Sequence, residues 1–132
     1  MHASTRRAAA LGSALAAVGA TLTVLAPSAQ AVGLDQNDRV RYRMCADTVV
    51  DIEYTNAYGN TSTQRNIYFK RQKNGARCGF YDYTVRDEYG SYASVWVTAE
   101  NGGSVSCTIW RNGRVVAKSN DENSFYSSAA CY

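Results

Sequence analysis

The 132-residue chain has very little histidine and very little proline, with one residue of each. Both of them, His2 and Pro27, lie in an N-terminal segment that we expect to be removed on export. The remaining chain then has no histidine, which excludes Ser-His nucleophilic catalysis and histidine-ligated metal sites. It keeps ten tyrosines, three phenylalanines and two tryptophans. This aromatic content argues against a disordered chain and predicts a packed domain.

The first 31 residues have the three parts of a secretory signal peptide. Two arginines form the positive region, and a mostly apolar run follows over residues 8–26. Ala29 and Ala31 make an A-x-A cleavage site, which predicts a cut after Ala31 and a mature chain of residues 32–132. The alternative is an uncleaved membrane anchor, because the apolar run is nearly long enough to span a bilayer.

The predicted mature chain is close to neutral. Two of the 14 basic residues lie in the signal peptide, so 12 basic residues stand against 11 acidic ones. The formal charge is therefore +1, compared with +3 for the whole chain. A nearly neutral domain lacks a strong electrostatic attraction to phosphate backbones, and we expect no nucleic-acid partner.

All four cysteines, Cys45, Cys78, Cys107 and Cys131, lie in the predicted mature chain. An even number of cysteines in an exported chain of this size predicts two disulfides, for which three pairings are possible. Four free thiols are the alternative. A zinc site is disfavoured, because the cysteines show no C-x-x-C spacing and no histidine accompanies them. We expect no metal and no cofactor.

The mature sequence alternates short β-prone runs with turn residues and shows no helical periodicity. About eight strands are predicted, over residues 40–44, 48–55, 64–70, 80–86, 92–100, 105–111, 114–118 and 124–131. This pattern is typical of an all-β sandwich or a small barrel. Asn112 and Gly113 predict a type I′ hairpin, because both residues tolerate positive φ. We expect one domain over residues 32–132, in which residues 32–38 form a flexible lead.

Strand alternation places both tryptophans on the polar faces of their strands. Aliphatic side chains alternate with Trp96 in the fifth predicted strand and with Trp110 in the sixth. If the aliphatic faces point inward, both tryptophans point to solvent. The same choice turns Cys107 and Cys131 toward the core, which is consistent with a disulfide between them. Phe125 shares the predicted inward face of the last strand.

Two parts of the mature chain share the motifs of a known family, in the same order. The first motif is a cysteine-containing N/D-G hairpin that is followed by a cysteine in the last strand. Residues 106–116 are similar to it, with the sequence Ser-Cys-Thr-Ile-Trp-Arg-Asn-Gly-Arg-Val-Val. The second motif is the family's pattern of N-terminal strands. Two segments are similar to it: residues 40–43, Val-Arg-Tyr-Arg, and residues 49–56, Val-Val-Asp-Ile-Glu-Tyr-Thr-Asn. The chain thus resembles the MmpS family, small membrane proteins of mycobacteria and their relatives, over residues 40–67 and 93–131.

The resemblance implies an immunoglobulin-like antiparallel β-sandwich and an accessory role to MmpL lipid transporters of the resistance-nodulation-division type. It also implies a disulfide between Cys107 and Cys131, which leaves Cys45 and Cys78 as the second pair. Family members keep an N-terminal transmembrane helix, whereas a cleavable signal is predicted here. The family supplies no catalytic residue to transfer to this chain.

Aromatic side chains outside the predicted core are the best candidates for a recognition surface. The best candidate is the cluster formed by residues 80–83 with Tyr89, Tyr92 and Trp96, and Trp110 is a further candidate. The candidate binding residues selected from this set are Tyr89, Tyr92, Trp96 and Trp110. Tyrosine and tryptophan combine a flat contact area with a polar group, so they suit sugars, peptides and interface hot spots. The alternative is that aromatic residues fill the core, and this is the favoured interpretation for Tyr81 and Tyr83.

Charged residues supply weaker candidates. The basic run at residues 70–73, with Arg77, fits an anionic polymer or phospholipid headgroups, but a solvated loop is favoured. Acidic pairs at residues 87–88 and 121–122 lie in predicted turns. A glycosidase needs two carboxylates about 5–10 Å apart in a cleft, and adjacent acidic residues in turns are more often solvated loop caps.

These features predict a non-enzymatic, exported binding or accessory module, either extracellular or associated with the cell envelope. The expected partner is an envelope lipid transporter, or an envelope lipid or polymer. We expect the protein to associate with the membrane only through that partner or through an uncleaved signal segment. The alternative is a freely secreted, disulfide-stapled effector, such as an inhibitor or an antimicrobial protein. A small hydrolase that uses carboxylates alone is the least favoured hypothesis.

Overall fold

The computed structural model describes residues 31–132, so the predicted signal peptide lies outside the described residues except for Ala31. The described residues form ten β-strands. They are β1 (Val32–Leu34), β2 (Arg39–Ala46), β3 (Val50–Thr55), β4 (Thr61–Ile67), β5 (Cys78–Thr84), β6 (Ser91–Ala93), β7 (Val95–Ala99), β8 (Gly103–Arg111), β9 (Arg114–Asn123) and β10 (Ser127–Cys131). Within residues 31–132 there is no helix with the length and apolar character needed to cross a membrane.

Eight of the ten strands build two four-stranded antiparallel sheets. The front sheet has the order β5–β2–β8–β9, and the back sheet has the order β10–β7–β3–β4. β1 and β6 form a separate short antiparallel pair. The two sheets pack face to face, with β7 and β10 of the back sheet lying against β8 of the front sheet. This arrangement confirms the predicted all-β antiparallel sandwich and fits an immunoglobulin-like architecture.

The core lies between the two sheets and is built by strand alternation. Val95 of β7 and Ile109 of β8 are fully buried, as are their aliphatic neighbours on the same faces. Trp96 and Trp110 occupy the intervening positions and point outward, so the predicted orientation of both strands is confirmed. Burying each valine or isoleucine side chain contributes about 1.5–3 kcal/mol, which makes the inward faces the main stabilising element.

The two disulfides predicted from the cysteine count are both present. Cys107 of β8 and Cys131 of β10 are bonded across the core, so this bridge joins the front sheet to the back sheet. Cys45 and Cys78 are directly opposite each other in the antiparallel pair β2–β5, with a Cα–Cα distance of 4.1 Å. The first bridge therefore fastens the two layers together, and the second fastens two neighbouring strands of one layer.

Residues 32–38 are ordered, so the prediction of a flexible lead is wrong. β1 pairs with β6, and Leu34 is buried in the core. The side chain of Arg111 donates to the carbonyl of Gly33 at 3.1 Å and binds the carboxylate of Asp35 at 2.9 Å. The segment looked flexible because β6 and Arg111, its partners, are distant in the sequence.

The C-terminal strands also depart from the prediction. β9 continues to Asn123, so the acidic pair at residues 121–122 lies in a strand and not in a turn. The carboxylate of Asp121 accepts a hydrogen bond from the N–H of Ser128 at 3.0 Å. β10 begins only at Ser127, whose fully buried hydroxyl donates to a carbonyl of β8. Phe125 therefore precedes the strand and is 85% exposed, so its predicted inward orientation is wrong.

The predicted hairpin at Asn112 and Gly113 joins β8 to β9. Both residues have positive φ, 49° and 82°, as a type I′ turn requires. The Asn112 side chain accepts from the N–H of Arg39 at 2.9 Å and donates to the carboxylate of Asp38 at 2.8 Å. Burial opposes ionisation of Asp38, but hydrogen bonds from a backbone N–H, Asn112 and Arg111 hold its pKa below the ordinary value. The turn thereby fixes the start of β2.

Four tyrosines form one cluster at the core, with Tyr42 next to Tyr54, Tyr81 and Tyr83. Tyr42 is fully buried, and its hydroxyl donates to the carbonyl of Thr55 at 3.0 Å. Because this bond uses the only hydroxyl proton of Tyr42, the hydroxyl of Tyr83, 2.6 Å away, must be the donor to Tyr42. Burial raises the pKa of Tyr83 to about 12 and raises the pKa of Tyr42 further still. Tyr81 and Tyr83 thus pack against the core, as we predicted from the sequence.

Candidate functional site

The outer face of the front sheet carries a group of charged and aromatic side chains that we call the arginine face. Its members are Arg39, Arg41 and Arg43 of β2, Phe80 and Asp82 of β5, and Trp110 of β8. The intervening residues of β2, Val40, Tyr42 and Met44, are buried, so alternation turns the three arginines outward. The arginine face lines an open concavity of about 1010 Å³.

An ion pair stands at the centre of the arginine face. Arg41 and Asp82 are opposite each other in the β2–β5 pair, and two guanidinium nitrogens bind the carboxylate at 2.6 and 2.8 Å. The hydrogen bonds from Arg41 hold the pKa of Asp82 below its ordinary value, and the same pairing raises the pKa of Arg41. Both charges therefore persist at neutral pH and offset each other, and together they present donors and an acceptor to solvent.

Aromatic rings lie next to this ion pair on the two strands that flank β2, Phe80 on β5 and Trp110 on β8. The guanidinium of Arg43 lies over the ring of Trp110 at 5.3 Å and donates to the hydroxyl of Thr108 at 3.4 Å. The guanidinium of Arg41 lies 5.8 Å from the ring centre of Phe80, whose side chain is 50% exposed. These cation–π contacts hold the long arginine side chains against the sheet, so less side-chain freedom is lost when a ligand binds.

Two of the three arginines of this face keep an uncompensated positive charge. Within residues 31–132, neither Arg39 nor Arg43 has a carboxylate within salt-bridge distance. Both are exposed on β2. The arginine face thus carries net positive charge at its two ends and a neutral pair between them, although the mature chain as a whole is nearly neutral.

A second basic group adjoins the far end of β2, and we call it the basic loop (residues 70–77). Arg71 and Arg77 are bridged through their backbones and line a concavity of about 350 Å³ together with Cys45 and Ser106 of the front sheet. The guanidinium of Arg77 lies over the ring of Tyr68 at 4.3 Å. The basic run singled out in the sequence therefore borders the same sheet that carries the arginine face.

The four aromatic candidates from the sequence do not form one surface. Tyr89 and Tyr92 are exposed and line a small concavity of about 340 Å³ beside Arg111. Trp96 is 46% exposed on the outer face of the back sheet, where its ring stacks on Tyr132. Only Trp110 belongs to the arginine face. The two tryptophans consequently lie on opposite sides of the sandwich and cannot contact one small ligand together.

One member of each acidic pair, Asp87 and Asp121, caps local structure. Asp87 accepts a hydrogen bond from the N–H of Tyr89 at 3.0 Å, which closes the turn before β6. Asp121 holds the start of β10, as described above. No group of three or more potential metal-ligating side chains is found in the part of the chain that the structure describes.

Sequence reasoning named Phe80 as a member of an aromatic cluster, but it missed the arginines of β2 that surround it. A signal for the arginines was present, since Arg-Val-Arg-Tyr-Arg at residues 39–43 alternates arginine with core residues. No signal in the sequence showed that β2 lies between β5 and β8, which brings Phe80 and Trp110 to the arginines. Together these side chains make a surface that fits an anionic ligand with flat apolar parts. No protein-family model, no curated protein and no solved structure matches this chain.

Proposed function

We propose that this protein is a non-enzymatic, exported binding module and that the arginine face is its ligand-binding surface. One observation carries the proposal: two uncompensated guanidiniums, of Arg39 and Arg43, and two aromatic rings, of Phe80 and Trp110, project from one face of a paired sheet. Guanidinium groups bind carboxylates and phosphates through charge-assisted hydrogen bonds, and aromatic rings supply contact area.

The scaffold supports such a role because it holds these side chains in place before a ligand arrives. β2 is paired on both sides, with β5 and with β8. The disulfide between Cys45 and Cys78 fixes one end of the β2–β5 pair. Preorganisation of this kind lowers the entropy cost of binding. The two disulfides are also compatible with an oxidising, extracellular location.

The resemblance to the MmpS family favours a place at the cell envelope, as an accessory to a lipid transporter. A freely secreted effector that binds a foreign target is the alternative. The two roles differ in where the protein resides, because an accessory stays with the cells and an effector accumulates in the medium. Fractionation of the source cells, followed by crosslinking and mass spectrometry of bound material, distinguishes them.

The first prediction concerns the two uncompensated arginines. The double variant Arg39→Ala/Arg43→Ala is expected to bind envelope material at least tenfold more weakly, since charge-assisted hydrogen bonds contribute about 1.5–3 kcal/mol each. Sedimentation of the purified protein with an envelope fraction of its own cells measures this loss. Arg65→Ala is the matched control, because Arg65 is exposed on β4 of the back sheet. Equal retention of the double variant and the native protein would contradict the proposal.

The second prediction separates the two tryptophans. Trp110→Ala is expected to weaken binding in the same sedimentation assay, because it removes a ring of the arginine face and the support of Arg43. Trp96→Ala is expected to leave binding unchanged, because Trp96 lies on the other sheet. Thermal unfolding should show both variants folded, since both side chains point outward. An equal loss of binding in the two variants would place the ligand elsewhere.

A further inference from the structure

We propose that the ligand is a linear anionic polysaccharide that lies along β2, from the arginine face to the basic loop, and that its charged units are separated by neutral ones. This inference rests on the proposed function and names the ligand class of the same surface. Three features carry it: the length of the basic track, the neutral ion pair within it, and the aromatic rings beside that pair.

The length of the track fits an extended ligand. Outward residues of a strand recur about every 7 Å, so the outer face of β2 from Arg39 to Cys45 spans about 20 Å. Arg39 and Arg43 carry uncompensated charges within the arginine face. Arg71 and Arg77 follow beyond Cys45 in the basic loop, where two arginines and one acidic residue, Asp47, line the concavity. A small anion contacts only one of these positions, whereas a polymer contacts several at once.

The ion pair between Arg41 and Asp82 selects the charge pattern of that polymer. It lies between Arg39 and Arg43, and the Asp82 carboxylate is exposed to solvent there. A polymer with a negative charge on every unit, such as a nucleic acid, places one of its charges at this pair, where it gains no net attraction because the two charges offset each other. A neutral unit with hydroxyl groups, in contrast, finds both a donor and an acceptor at the pair. The track therefore matches charges that alternate with uncharged units.

The aromatic rings favour a sugar over an acidic peptide. Phe80 and Trp110 lie beside the ion pair, on β5 and β8. The Phe80 side chain is 50% exposed, and Trp110 is partly exposed with the guanidinium of Arg43 over its ring. Pyranose rings present a flat C–H face together with equatorial hydroxyls, so one sugar unit can cover an aromatic ring and still reach Arg41 and Asp82. The concavity of the arginine face is also open to solvent, which leaves both ends of a chain free to continue.

Hyaluronan oligomers test this proposal, because their carboxylates alternate with neutral sugars. Calorimetry with a tetramer, a hexamer and a decamer should show affinity rising with length until the track is filled. Arg43→Ala is expected to weaken binding of every oligomer by about tenfold, the effect of one charged contact. Arg71→Ala should weaken only the longer ones, since Arg71 lies in the basic loop. Arg65→Ala should weaken binding of none of the oligomers.

A second polymer tests the charge pattern. Polygalacturonate, which is charged on every unit, should bind less tightly than hyaluronan, and Asp82→Asn should reduce the difference in affinity between the two polymers.

The outcomes separate this inference from the proposed function. Equal affinity for all lengths, or no effect of Arg71→Ala, would overturn the extended track. Binding of polyglutamate, of an oligonucleotide or of phosphatidylglycerol vesicles in preference to hyaluronan would overturn the ligand class, while the loss of envelope binding in the Arg39→Ala/Arg43→Ala variant would still support the arginine face. Retention of envelope binding by that double variant would overturn both.

Discussion

Replacing Cys107 and Cys131 together with alanine is expected to lower the free energy of unfolding by about 3–5 kcal/mol. The bridge links residues 24 positions apart and so restricts the unfolded chain. It also joins the two sheets across the core, where both cysteines are buried, so alanine removes packed sulfur atoms as well. A domain of this size has only about 5–15 kcal/mol of stability, which makes the variant marginal. Urea unfolding measures the change.

The second disulfide supplies the matched control. Cys45→Ala/Cys78→Ala removes a bridge between residues 33 positions apart, so the loss of chain restriction is similar, about 3–4 kcal/mol. Cys45, however, is only half-buried, and strand pairing holds these two residues together without the bond. We therefore expect the core variant to be the less stable of the two. A loss of less than about 1 kcal/mol in the core variant would contradict a stabilising bridge between the sheets.

Raising the pH from 10 to about 12 is expected to lower the free energy of unfolding by about 4 kcal/mol, through Tyr42 and Tyr83. Burial raises the pKa of both hydroxyls in the folded protein, to about 12 for Tyr83 and higher for Tyr42. In the unfolded chain both ionise from about pH 10, so the unfolded state loses protons that the folded state keeps. The stabilisation is complete below pH 10 and is lost as the pH rises through the folded pKa values. Urea unfolding at a series of pH values measures this profile.

Two single substitutions isolate the origin of the alkaline effect. Tyr83→Phe removes one of the two titrating groups and should roughly halve the slope, at a cost near neutral pH of about 1 kcal/mol for the lost hydrogen bond to Tyr42. Tyr89→Phe is the matched control, because Tyr89 is 91% exposed and lies outside the cluster around Tyr42. A stability that stays constant over this pH range in the native protein would show that the two hydroxyls are not buried as a bonded pair.

The strands and the inward faces were predictable from local pattern because a strand has a period of two. Alternation in β7 and β8 correctly placed the aliphatic residues inside and the tryptophans outside. The type I′ turn at Asn112 and Gly113 was equally secure, since few residues adopt positive φ at both positions. The failures occurred where distant contacts decide the structure: β1 is held by β6 and Arg111, and β10 begins at the buried Ser127.

The candidate site was only partly predictable for the same reason. Trp110 was identified from its outward position, but its partner Arg43 and its neighbour Phe80 belong to strands far away in the sequence. Tyr89, Tyr92 and Trp96 were identified by the same criterion of outward orientation, yet the fold disperses them over two other surfaces. Exposure can be inferred from a strand's own pattern, whereas proximity on a sheet depends on strand order.

The four cysteines and the period-two pattern by themselves determined the fold type and the number of disulfides, because composition and alternation can be read directly from a sequence. The scarcity of histidine left the predicted mature chain without a histidine for catalysis or metal binding. The cysteine pairing in the structure also agrees with the pairing that the family resemblance implied. Only the tertiary structure decided that β2 lies between β5 and β8, so that three arginines meet Phe80 and Trp110 on one face. Strand order is set by the packing of whole sheets, and that packing has no counterpart in any single stretch of the chain.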